Sequence, residues 1–179
     1  MATPAAAADH YRLQQRIAAV AATTTTSLWQ RMDEDFDRSW QGIRTDLTNV
    51  MVAAQTAAAR TADTYLSNIL YETGQVDLPA GQFVPSSIAG TASDGRDLEA
   101  LLFGAVTTAK TAVDAGYDPP SALARGGRWL TMTVLTAVAD ANREAVSGGM
   151  ALRPAIAGWV RMLNPPSCQN CIILAGKWF

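Results

Sequence analysis

Along the first seventy residues the larger or central side chains recur at steps of three or four. They are Leu13, Ile17, Val20, Thr24, Leu28, Met32, Phe36, Trp40, Ile43, Leu47, Val50, Ala54, Ala58, Ala62, Tyr65 and Ile69. This is the period of an amphipathic helix, and strands would alternate every second residue. Between Ala5 and Thr73 there is no proline and one glycine, Gly42. A single helix of that length would extend on the order of 95 Å, which a chain of 19.0 kDa cannot cover by itself. The segment therefore either folds back as a hairpin or lies along other molecules. Two places are candidate bends: the run Thr23-Thr24-Thr25-Thr26-Ser27, whose β-branched and hydroxyl side chains are weak helix formers, and Gly42.

The pattern changes at residue 74. Gly74, Pro79, Gly81, Pro85, Gly90 and Gly95 punctuate a polar stretch that predicts a long loop. Two further helices are predicted. One spans about residues 96–115, with Leu98, Leu101, Leu102, Ala105, Ala109 and Val113 on one face and Gly116 as its C-terminal cap. The next starts at Asp118-Pro119-Pro120-Ser121, a capping carboxylate followed by proline in the first turn. It should run to about Val146, with Gly126-Gly127 as a kink or interruption and Ser147-Gly148-Gly149 as its end. The expected fold is mainly α. A helical arm (1–73), a loop (74–94) and a helical core (95–179) built on an αα-hairpin close with a short cysteine-containing segment.

Composition qualifies this picture. Hydrophobic residues are 49% of the chain, yet 33 of its 179 residues are alanine, which buries little area. Charged residues are 17% and the net charge is -2, so there is no basic footprint for direct nucleic-acid binding. The least polar stretches, 47–59 and 129–139, are too short and too rich in Thr for a membrane span, and no signal peptide is visible at the start. With His10 as the sole histidine, a Ser-His-Asp or Cys-His catalytic group is not expected.

Three features carry candidate chemistry. Asp33-Glu34-Asp35 with Asp37 reads either as a solvated acidic face or as a dock for a basic partner or a cation; it lacks the spacing and glycine of a calcium loop. Leu28, Trp29, Met32, Phe36 and Trp40 either anchor a partner protein or close an intramolecular hairpin. Cys168 and Cys171 have the spacing of half a zinc site, but also of buried thiols or of a thiol–disulfide exchange pair. Two more ligands would be needed for a metal. None follows within the chain, which stops in an apolar phrase and so reads as part of something longer.

The phrase around the cysteines sharpens the reading. Val160-Arg161-Met162-Leu163-Asn164-Pro165-Pro166-Ser167-Cys168, then Cys171, Leu174-Ala175-Gly176-Lys177 and Trp178-Phe179, resembles the core of phage Mu F-like minor head proteins of actinobacterial tailed phages. Asp94-Gly95-Arg96 with Leu98 and Leu102, and Val138-Ala139-Asp140-Ala141, are similar to the same group, so the resemblance covers about residues 94–179. It implies a head-morphogenesis protein of the virion, present in several copies at the portal vertex inside the capsid and assembled in the host cytoplasm. Its partners would be the portal protein and the major capsid protein. Such proteins are often labelled capsid maturation proteases, but with His10 as the sole histidine the residues give Ser167 no positioned base. The family pattern also continues to a His-Pro-x-Cys-x-Cys element absent from this chain, which would complete a zinc site on Cys168 and Cys171. A non-enzymatic assembly component is the leading expectation, a maturation protease the second and a thiol oxidoreductase the third.

Overall fold

The computed structural model describes residues 4–160 together with Gln169, Ile173 and residues 175–177. Among these the fold is mainly α, as the periodicity predicts. Helix α1 is Ala5–Trp29, α2 Phe36–Gln41, α3 Arg44–Glu72, α4 Leu98–Asp114 and α5 Pro119–Ala151. A 3-10 turn, Pro85–Ile88, interrupts the long loop, and an isolated antiparallel bridge joins Thr91 to Asp97.

The first segment is a hairpin and not a rod. Gln14 Nε2 reaches the Ala58 carbonyl and Thr61 Oγ1, Arg31 pairs with Asp46, and Glu72 accepts from the Ala6 amide, so α1 runs antiparallel to α3. The bend lies at residues 30–43, where α2 forms a short corner, and not in the threonine run. There the helix continues, because Thr24, Thr25 and Ser27 donate to carbonyls one turn earlier and keep their hydroxyls satisfied. Gly42 does stand at a break, between α2 and α3.

Helix α5, about 50 Å long at 1.5 Å per residue, has the longest contacts, along α3, α4 and α1. It lies parallel to α3 (Leu66 at Gly149) and antiparallel to α4 (Gly104 at Trp129, Ala109 at Gly126) and α1 (Trp29 at Leu123). One apolar cluster spans the bundle, with Trp29, Trp40 and Met51 from the first hairpin meeting Leu102, Val134 and Val138.

The helix ends follow local chemistry. Asp97 and Asp118 accept from Ala100 N and Ser121 N and thereby cap α4 and α5. After α4, Gly116 takes φ +90° while Tyr117 N bonds to the Ala112 carbonyl and Gly116 N to that of Val113. This is the paired-bond ending that glycine permits at the C′ position. In α5 Gly126-Gly127 does not interrupt the helix, and Ser147-Gly148-Gly149 does not end it; it continues to Ala151. A helical glycine costs about 1 kcal/mol relative to alanine, and here the missing β-carbon lets neighbours approach. A β-carbon on Gly126 would stand 2.6 Å from the Ala105 carbonyl oxygen and 2.7 Å from Trp29, and one on Gly149 2.6 Å from Leu66 Cδ1.

Candidate functional site

The residues singled out between Leu28 and Trp40 come together where α1, α2, α4 and α5 meet. Trp29, Met32 and Trp40 are buried, and Leu28 and Phe36 pack half-buried against the same core. Trp29 Nε1 donates to the Leu123 carbonyl at 3.0 Å. Trp40 meets Phe103 edge-on at a centroid distance of 5.6 Å, and Phe36 covers Ala109, Ala112 and Ala122. All five side chains thus pack within the chain at this corner.

A shallow groove of about 650 Å³ opens beside this corner between α1 and α5, lined chiefly by Thr26, Trp29, Met32, Leu123, Gly127 and Met132. The acidic run lies next to it. Asp35 caps α2 through the Arg38 amide, Asp33 pairs with Arg38, and Asp37 meets Lys110 Nζ at 2.6 Å. Three of its four carboxylates therefore serve local structure.

Two polar clusters inside the bundle were not foreseen. Near the open end of the first hairpin, His10 stacks on Tyr65 at 4.2 Å between ring centroids, with Gln14 on Thr61 and Thr61 Oγ1 3.5 Å from Asn142 Oδ1. Burial pushes the His10 imidazole below the ordinary histidine range, partly offset by hydrogen bonding with Asn142, and raises the Tyr65 phenol. His10 Nε2 and Gln14 Oε1 are buried with no hydrogen-bond partner among the described residues.

The second cluster surrounds Arg153, buried just beyond α5. Its Nη2 lies 2.6 Å from Asp63, its Nε 2.8 Å from Asp77, and its Nη1 donates to the Gly149 carbonyl. Ser67 Oγ donates to Asp77 at 2.5 Å, and the Ser67 hydroxyl and the guanidinium together hold that carboxyl below the usual range. A guanidinium satisfied on three sides can be buried where a lone charge cannot. A sequence signal existed for Arg153, an isolated cation in an otherwise apolar stretch. None existed for His10, whose partners come from two distant helices.

Cys168, Cys171 and Ser167 lie outside the described residues. Among the described residues no group of three or more His, Cys, Asp or Glu side chains is placed to hold a metal ion, and no helix is long and apolar enough to cross a membrane. No family model matches the chain, and no curated protein or solved structure matches it. The class established by the fold is that of a mainly α, helical-bundle protein.

Proposed function

We propose that this chain is a minor head-morphogenesis protein of a tailed phage, a structural component that binds the portal and the inner capsid during procapsid assembly. The observation that carries the reading is the phrase from Val160 to Cys168, with Cys171 and Leu174-Ala175-Gly176-Lys177. The geometry lends support from α1. This helix buries Ala21, Thr25 and Trp29, while Leu13 and Val20 on its other face stay 41% and 68% exposed. Large aliphatic side chains left outside at helical spacing on a weakly charged helix suit a surface that another protein covers.

The test is co-expression with the portal and major capsid proteins of a tailed phage that encodes this chain, followed by gradient sedimentation of procapsids. The chain should sediment with them in several copies. A Leu13→Glu/Val20→Glu double variant that keeps its helical circular dichroism should remain at the top of the gradient. A wild-type chain absent from procapsids overturns the proposal.

A further inference from the structure

The first four turns of α1 are held unusually lightly. Proline precedes the helix and no side chain caps its start; the Ala6 amide instead finds the Glu72 carboxylate of α3 at 3.0 Å. Among the described residues up to Val20 the one buried side chain is Ala6. Contact with the rest of the bundle rests on half-buried Ile17 and Ala18 and on the polar pair His10 and Gln14. By contrast, the other end of the helix is fixed by Trp29 inside the main core. Segments with little buried apolar area open locally at far lower free energy than the whole fold.

His10 occupies the centre of this weak half. It meets Tyr65 from α3 and Asn142 from α5, neither of which supplies a negative charge. The charged groups of the same elements are engaged elsewhere or exposed: Asp9 with Arg12, Asp63 with Arg153, Arg143 with Asp140, Glu72 with Ala6, and Arg60 and Glu144 in solvent. Its Nε2 is buried with no hydrogen-bond partner among the described residues. An added proton would therefore place a positive charge where no described residue supplies a counter-charge, whereas opening the helix end returns the imidazolium to water.

We propose that residues 5–20 form an acid-released latch gated by His10: mild acid frees the first half of α1 while Trp29 keeps its second half docked. Release uncovers the part of α3 that carries Ala58, Thr61 and Tyr65. The inference does not depend on what the chain assembles with.

Amide hydrogen exchange of the full chain, followed by mass spectrometry at pH 8.0 and 5.8 and corrected for the intrinsic pH dependence of exchange, tests it. An imidazole free in the open state with the ordinary value of 6.5 sets the limit at about sixfold more opening at the lower pH. Peptides from residues 5–20 should gain about threefold to sixfold, and peptides around Val134 and Val138 should stay within about 1.5-fold. His10→Phe keeps a ring against Tyr65 but cannot titrate, and should abolish the gain; His10→Gln serves if that variant fails to fold. A wild-type gain below about 1.5-fold, or an equal gain in the non-titrating variant, overturns the latch. Because the chain has one histidine, its imidazole proton resonance reports independently: a midpoint at or above 6.5 in the folded chain also overturns it.

Discussion

The Trp29 indole lies across the start of α5, its Nε1 donating to the Leu123 carbonyl at 3.0 Å and its ring edge 2.7 Å from where a β-carbon on Gly126 would stand. One side chain thereby joins the end of α1 to the beginning of α5. Trp29→Ala removes that volume from the core and should cost about 3–5 kcal/mol. Trp29→Phe keeps most of the packing and loses the hydrogen bond, for about 1–2 kcal/mol. Urea unfolding of the two variants checks the order; equal losses would mean that the ring's volume contributes nothing beyond its hydrogen bond.

Glycine positions in α5 should respond to alanine with different signs of surprise. Alanine normally gains about 1 kcal/mol in a helix interior. At Gly126 the new β-carbon would stand 2.6 Å from a main-chain oxygen, that of Ala105, which can move only with α4. Gly126→Ala should therefore destabilise by about 1–3 kcal/mol despite its better propensity. At Gly149 the obstacle is Leu66 Cδ1, the tip of a side chain that can rotate, so Gly149→Ala should lie within about 1 kcal/mol of wild type. Thermal melts of both variants distinguish the cases.

These glycines also show where sequence reasoning stops. The period of three and four residues identified helices throughout, and Asp118-Pro119 and Gly116 marked real helix ends, because caps are local chemistry. Whether Gly126-Gly127 breaks a helix depends on what stands opposite, and Ala105 and Trp29 are distant in the chain. The face of α1 that packs lies one position along from several of the periodic side chains for the same reason. Leu13, Val20 and Thr24 are the larger or periodic residues, yet Ala21, Thr25 and Trp29 are buried and Gln14 and Ala18 half-buried. Small side chains let α1 approach its neighbours closely, so the face with less apolar bulk is the one that packs. Of the candidate site, the aromatic corner was legible from Trp29, Met32 and Trp40, whereas the His10 cluster exists only once α1, α3 and α5 are assembled.

The long loop is clamped by one buried amide. Gln55 Nε2 donates to the Thr91 carbonyl at 2.9 Å, and its Oε1 accepts from the Gly90 amide at 2.9 Å. Gln55→Leu fills the same space and leaves both main-chain groups unpaired, which should cost about 1–3 kcal/mol. The loss should be local first. Limited proteolysis is expected to cut residues 73–97 several-fold faster in the variant, with cleavage inside α5 unchanged. Uniformly faster cleavage would instead mean that Gln55 supports the whole bundle.

Arg153 joins α3, the loop and the end of α5, and its two carboxylate partners differ in setting: the Asp63 side chain is 65% exposed and that of Asp77 only 23%. Arg153→Met should destabilise by about 2–3 kcal/mol, less than a fully buried pair would lose because Asp63 can rehydrate. Arg153→Lys should recover only part of this, since an ammonium cannot span both acids and the Gly149 carbonyl. Asp77→Asn should be worse than Asp63→Asn on the same grounds. The pH dependence has a definite sign. The Asp77 carboxyl is held below its ordinary value of 3.8 by Ser67 and Arg153, so its contribution is fully present above that value. It is lost as the pH falls through the lowered folded-state value, where the unfolded chain already binds the proton. The stability difference between wild type and Asp77→Asn should therefore be constant from pH 7 to about 5 and shrink below about 4. A difference that persists undiminished in acid would show that the loop is held by the Ser67 and Arg153 geometry alone and not by the carboxylate's charge.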